Sequence, residues 1–461
     1  MRRYALFALL GVVACGDDAP VSHLDAGSGD DSHVIDVDSG PTQPVSITVT
    51  IGGQPNAGVT VYFQNADSTL VATKTTDATG TASALMNAGG YVTAVDPFEV
   101  AAGLPTKIVR TFAGVKEGDH LLLDEPTDPT QISIIFQGPV YNNVLLRSYT
   151  ITPSCGPSLT MNPQPGPTGD KSAHGTLTLY GCGAQADFHV VAKDISGDVL
   201  VSQFTAGQPI TANATIDTSE AGFSNAPQRM YTLTNVPNTV GQFTFTDHQL
   251  STLGMLGQAV GTATGAGPGP TTLAMKVPTF TNATSMIEAV ATANRNRHTL
   301  LSWGPFAATY TSDAGTRVLK AFASDPAYSA ATHAVSWTES ANGASPDFVH
   351  LLANGIRGNE GFYIDWQMVA PYSEGTATLP TLPPGMYDLN FADTDSIELG
   401  VRQYKVPGGF DATRASFFIS QSLPAATGEA SSVEHEPPIQ ARTQATMPHA
   451  TFSSWFVRAS H

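Results

Sequence analysis

The sequence predicts an all-β protein: tandem β-sandwiches behind a disordered acidic tether. Three observations carry that expectation. Stretches such as Val45-Ser-Ile-Thr-Val-Thr-Ile51 and Val59-Thr-Val-Tyr-Phe63 alternate apolar and polar residues with the period of a half-buried strand. Glycine and proline, at 43 and 32 residues, punctuate the chain between such stretches, and only 13% of residues are charged. The first 44 residues follow neither pattern.

Those residues open with Arg2 and Arg3, followed by an unbroken apolar or small stretch from Ala5 to Ala14. Ten residues are too few to cross a hydrocarbon core of about 30 Å. A basic head, a short apolar run and a small residue at its end have the layout of a secretory signal. Val12-Val13-Ala14-Cys15 resembles the lipobox of bacterial lipoproteins. That resemblance implies removal of residues 1–14 as a signal peptide and lipidation of Cys15. Stable anchoring takes two or more acyl chains, each buried CH₂ adding about 0.8 kcal/mol. Residues 15–44 then form the tether. Asp17, Asp18, Asp25, Asp30, Asp31, Asp36 and Asp38 lie in it with no Lys or Arg. Such a segment buries too little apolar surface to order itself, and its like charges extend it. Asp36-Val-Asp38-Ser-Gly40 lacks the third ligand and the later glutamate of a calcium loop, so a solvated spacer is expected.

A first β-sandwich is expected over 45–125. Val45, Ile47, Val49 and Ile51 share one face; Val59, Val61 and Phe63 share another, with turns at Gly52-Gly53, Asn56-Ala57-Gly58 and Asp77-Ala78-Thr79-Gly80. Pro55 with Ala57-Gly58-Val59, Thr76-Asp77 with Gly80, and Gly89-Gly90-Tyr91-Val92 resemble the carboxypeptidase regulatory-like, or prealbumin-like, module. Ala82 and Ala84 depart from it, standing where a larger residue is usual. The resemblance implies an Ig-like or prealbumin-like sandwich that serves folding and interaction rather than catalysis.

A second sandwich-like domain is expected over 126–280 and a C-terminal β-rich domain over 281–461. QISIIFQ, GTLTLYG, ADFHVVAKD, DVLVSQF, MYTLTNV and GQFTFTDH all read as strands. Gly254 to Pro270, with GQAVGTATGAGPGP, reads as a long loop or boundary, and SMIEAVATANRNRHTLLSWG carries modest helical content. From Trp303 the aromatics thicken through Phe306, Tyr310, Trp337, Phe348, Phe362, Tyr363 and Trp366. In a sandwich these are core residues first, and a sugar-stacking strip second. Gly428 to Pro438, acidic and proline-containing, reads as a loop, and Thr451 to Ala459 as a last strand. With Cys15 assigned to the anchor, Cys155 and Cys182 remain as a pair, and an oxidising address predicts a disulfide between them.

The formal charge of −18 and the lack of a basic patch disfavour nucleic acid as a partner. No H-E-x-x-H, G-x-S-x-G or Ser-x-x-Lys occurs. Glu434-His435-Glu436 is the densest titratable cluster, but in a strand Glu434 and Glu436 point away from His435. Asp393-Thr-Asp395 reads as a turn. No catalytic, metal or cofactor-binding residue is assigned and no cofactor is expected. The expected protein is anchored in the cell envelope, at the outer membrane, with its body periplasmic or surface-exposed. Its partners are the membrane and a protein or carbohydrate ligand, and its work is binding, adhesion or scaffolding. The second reading is an envelope enzyme, a glycan or peptide hydrolase, with a sandwich as accessory.

Overall fold

A computed structural model describes residues 43–95, 99–101, 104–125, 131–165, 171–238, 240, 242–251, 253–264, 269–357, 362–385, 388–418 and 427–435. All belong to one compact unit, Pro41–His461. Cys15, the tether up to residue 42, Glu436 and the strand expected at 451–459 lie outside the described residues.

The architecture is all-β, and its first sandwich forms as its alternation dictates. Val45–Ile51 pairs antiparallel with Thr81–Ala84 and parallel with His120–Glu125. Facing it, Thr60–Gln64 pairs with Leu70–Thr75 and with Tyr91–Val95, which pairs with Leu104–Ala113. Val45, Ile47, Val49, Val59, Val61 and Phe63 meet between the sheets, all buried. The Asp77 turn is tied by its own carboxylate, whose Oδ1 accepts from the Thr79 and Thr81 amides at 2.8 and 3.0 Å. Gly80 there has φ +75°, and a Cβ would sit 2.4 Å from the Val49 carbonyl, so only glycine fits.

The second of these sheets does not stop at its hairpins. Leu104–Ala113 runs parallel to Phe362–Pro371, and through it the sheet continues into Phe348–Arg357, Ser396–Lys405, Gly428–His435, Asn296–Pro305, Thr284–Ala293, Gln242–Ser251 and Gly254–Thr264. Strands from all three expected segments, 45–125, 126–280 and 281–461, thus join in one twisted sheet. Its order follows space rather than sequence.

Three further cores attach to it. Residues 131–226 make a sandwich of their own. Gln131–Val140 and Lys171–Tyr180 face Ser148–Pro153, Gln185–Lys193 and Val199–Pro209, with Phe136, Tyr149, Leu177 and Phe188 between them. Gln228–Thr234, Thr271–Lys276 and Thr309–Asp313 cover the 242–305 end of the large sheet over Tyr231, Leu233, Phe243, Phe245 and Leu300. On the opposite face from the first sandwich, Ala327–Ser329, Ala334–Ser336 and Thr376–Thr378 cover Trp337, Trp366 and Phe391. The single described α-helix, Gly409–Arg414, is short.

Three expectations need correction. The segment from Gly428 is not a loop: Gly428–His435 is a strand paired on both sides, with Asn296–Pro305 and Ser396–Lys405. The glycine-rich stretch after Gly254 is not a loop: Gly254–Thr264 is a strand on Gln242–Ser251. Gly261 serves packing, since a Cβ there would lie 2.7 Å from Leu273 of the covering sheet. Nor is the stretch from Ser285 to Gly304 helical. Thr284–Ala293 and Asn296–Pro305 form a hairpin, turned by Asn294 and Arg295 at φ +49° and +65°, the left-handed pair that a two-residue hairpin requires. Of the C-terminal aromatics, Trp303, Trp337, Phe348, Phe362 and Trp366 are buried, while Phe306, Tyr310 and Tyr363 are half-buried. They are core, not a stacking strip.

Cys155 and Cys182 form the expected disulfide, with Cα atoms 5.2 Å apart. It joins strand ends 27 residues apart in sequence, and closure of such a loop stabilises by about 3 kcal/mol in the chain-entropy account. Alkylation of the denatured protein should therefore gain two labels when reductant is added, with a lower melting temperature for the reduced form. Equal labelling with and without reductant would refute the bond.

Candidate functional site

Among the described residues, a row of titratable side chains lies on the large sheet, on the face that also carries Phe348, Tyr404 and Leu301. It is a ladder that steps from strand to strand across the sheet. Glu288, on Thr284–Ala293, stands 3.9 Å from Arg297 on the next strand. Arg297 is the register partner of Glu434, and Glu434 takes Arg402 at 2.8 Å. Arg402 is in turn the register partner of His350. His350 Nε2 faces Gln367 Oε1 at 3.3 Å, and Gln367 donates to Asp365 Oδ1 at 3.3 Å. Arg110 donates to Asp365 Oδ2 at 3.1 Å and reaches across to Glu125 of the facing sheet at 2.9 Å. At the other end His248 Nε2 lies 3.7 Å from Glu288.

Most of these groups are more than half sequestered. The side chains of Arg110 and Arg402 are 8% and 12% exposed, and even Arg297 at the open rim is 31%. Burial works against the charge of Arg110, and Asp365 and Glu125 overcome it, so its pKa rises further. Burial likewise opposes Arg402, whose charge is restored by Tyr404 and Glu434. His350 is driven well below the ordinary imidazole range, by burial first and then by Arg402. It stays neutral, and Phe417 and Phe418 pack edge-on against it at 4.8 and 6.1 Å.

The chemistry of this arrangement is mutual. Each carboxylate holds a neighbouring strand's cation, so a slip of one residue would turn every member to the other face and strand its charge. The cleft beside Arg110, lined by Val49, Val59, Ala94, Ile108, Leu123 and Glu125, has no room for a water molecule. Among the described residues no group of three or more His, Cys, Asp or Glu is placed to hold a metal ion, and no helix is long and apolar enough to cross a membrane.

Of the clusters singled out in the sequence, Glu434 and His435 diverge as strand geometry demands. Glu434 joins the ladder, whereas His435 Nε2 lies 3.0 Å from Asp325 on the other side. Asp395 closes a turn, its Oδ2 accepting from the Ala392 amide at 2.8 Å. The sequence did not reveal the ladder. Its one available signal was a lone charge inside an apolar run, as in Ile108-Val-Arg110-Thr-Phe112 and Phe362-Tyr-Ile-Asp365-Trp366.

No family model matches this chain, and no curated protein matches it. Among solved structures it is similar to the Bacillus anthracis TIE protein, at 11% identity over 59% of this chain and 49% of that one, with a TM-score of 0.15. It therefore spans about half the length of that protein. It is also similar to a Streptococcal ancillary pilin, at 8% identity over 59% of this chain and 98% of that one, TM-score 0.15. A tetra-tandem repeat from the extending region of a large adhesion protein matches at 13% identity over 78% and 95%, TM-score 0.12.

Proposed function

We propose that this chain is a lipid-anchored protein of the bacterial cell envelope that acts by binding, adhesion or scaffolding through its β-sandwiches. One observation carries the reading. The titratable side chains that the fold gathers are engaged with one another across strands, from Glu288 to Glu125, and serve to lock a single large sheet. A body braced in this way suits holding and presenting surfaces. The anchor rests on the lipobox-like run before Cys15. The acidic residues after it would give the body a flexible reach of about 30 Å from the membrane. Cells carrying the chain should lose attachment to their surface or partner when it is deleted and regain it with the intact gene. Cys15→Ala should leave the protein folded, release it from the detergent phase and fail to restore attachment. Unchanged detergent partitioning of Cys15→Ala refutes the anchor, and full attachment without the chain refutes the role.

A further inference from the structure

The sequence contains two Asn-Gly pairs, Asn342-Gly343 and Asn354-Gly355. Such a pair can react with itself, because a glycine leaves its own amide nitrogen open to the side chain of the asparagine before it. The fold treats the two pairs differently. Asn354 and Gly355 are buried in Phe348–Arg357, which pairs on both sides, with Phe362–Pro371 and Ser396–Lys405. Reaction requires rotation about the asparagine Cα–C bond to bring the glycine nitrogen over Cβ, and an extended strand holds those atoms apart. Gly355 is also packed too closely for its backbone to swing: a Cβ there would lie 2.7 Å from Phe391.

Asn342 and Gly343 are exposed and lie at a bend. Among the described residues nothing accepts from the Gly343 amide, and nothing engages the Asn342 side chain. The Asn342 carbonyl, by contrast, is held. Ser340 Oγ accepts from the Ala321 amide at 3.0 Å, which aims its own proton at the Asn342 carbonyl oxygen, 2.8 Å away.

We propose that Asn342-Gly343 is a site of spontaneous covalent modification, where the chain converts asparagine to aspartate and isoaspartate with Ser340 assisting. The Gly343 nitrogen loses its proton and bonds to Asn342 Cγ. The Cγ–Nδ2 bond breaks, and the side-chain amide leaves as ammonia, taking up that proton. Water then adds to one carbonyl of the cyclic imide and a C–N bond opens. Opening at the side-chain carbonyl gives aspartate, and opening at the main-chain carbonyl gives isoaspartate; nothing is oxidised or reduced. As the Gly343 nitrogen loses its proton, amide resonance spreads the charge onto the Asn342 oxygen, where the bond from Ser340 strengthens. The isoaspartate product carries an extra methylene in the main chain. Gly343, at φ +124°, lies so close to Leu319 and Lys320 that a Cβ would sit 2.5 Å from the Lys320 nitrogen. Just beyond it the Ala344 amide donates to the Val318 carbonyl at 2.8 Å, and the Lys320 amide to the Ala344 carbonyl at 3.2 Å. The added length finds no space there, so this bridge opens. The inference is independent of the anchor at Cys15 and of the role in adhesion.

The test ages the full chain in warm, mildly alkaline buffer and follows both pairs by peptide mapping, with electron-transfer fragmentation to tell isoaspartate from aspartate. In the folded protein Asn342 should convert roughly tenfold faster than Asn354 or more, because the buried pair waits on local opening. In urea the two rates should converge, since the dipeptide is the same. Hydrogen exchange at the Ala344 and Lys320 amides should quicken in the isoaspartate form. Ser340→Ala should slow conversion of Asn342 and Ser340→Thr should restore it, whereas mere loosening of the bend would speed it. Asn342→Gln should fold as the parent does and stay unconverted. An Asn342 that stays intact in the folded protein overturns the proposal, as does an Asn354 that converts as fast. Conversion in Ser340→Ala at the parent's rate or faster overturns the part assigned to Ser340.

Discussion

Replacing Asp247 with Ala is expected to destabilise the protein by about 3–5 kcal/mol, the cost of leaving a buried cation without its counter-charge. Asp247, on Gln242–Ser251, is wholly buried, and Arg229 of the facing sheet, 4% exposed at its side chain, meets it at 2.7 Å. The carboxylate is saturated. Oδ2 also accepts from the Tyr231 hydroxyl at 2.5 Å, while Oδ1 accepts from Ser285 Oγ and Gln249 Nε2, both at 2.7 Å. Burial, and then Asp247 beside it, keeps the Tyr231 hydroxyl protonated far above its ordinary range. Arg229 also donates to Ser285 Oγ, and its guanidinium lies 5.0 Å from the Phe306 ring. Asp247→Ala therefore strands a guanidinium, a phenol, a hydroxyl and an amide between two sheets. Asp247→Leu combined with Arg229→Met removes both charges and should recover most of the loss, because a buried pair and its apolar replacement are often close in energy. Urea unfolding of the single and double variants checks this. A single substitution costing less than about 1 kcal/mol would mean that water reaches the pair.

That network shows where the sequence was legible and where it was not. Strands such as Val45–Ile51 were plain because each has one dry face, and the period of two survives in the letters. The glycines of Gly254–Thr264 misled because a glycine needed for close approach to Leu273 looks like a glycine needed for a turn. Asn294 and Arg295 were hidden inside a run whose composition suits a helix. The ladder was illegible for a different reason. Arg110 and Asp365 are 255 residues apart, and nothing local marks one lone charge in an apolar strand as the partner of another. Pairing of that kind is decided by sheet order, and here Leu104–Ala113 lies beside Phe362–Pro371.

Acidification from neutral pH to about 4 should cost the folded state several kcal/mol before most carboxylates titrate. Burial pushes His189 and His298 down to about 4, against an ordinary value of 6.5. His350 moves in the same direction, by burial and then by Arg402. A group with a folded-state pKa below its unfolded value leaves the unfolded chain holding more protons between the two. The contribution of His189 and His298 is thus intact above pH 6.5, falls between 6.5 and 4, and levels off below. With about 1.4 kcal/mol per pH unit, His189 and His298 each contribute a loss of about 3 kcal/mol across that window. Exposed turn aspartates such as Asp67 and Asp77, lowered by their Thr69 and Thr79 hydrogen bonds, lose stabilisation with the same sign but only near and below 3.8. The two windows are therefore separable. His189 lies in the second sandwich, on Gln185–Lys193, with the Phe280 ring 5.8 Å away, so an apolar ring can take its place. His189→Phe should flatten the fall in melting temperature between pH 6.5 and 4 by about a third relative to the parent, while the drop below pH 4 stays. Parallel curves for the two proteins across the upper window would show that His189 titrates alike in the folded and unfolded states, and the burial account of its titration would fail.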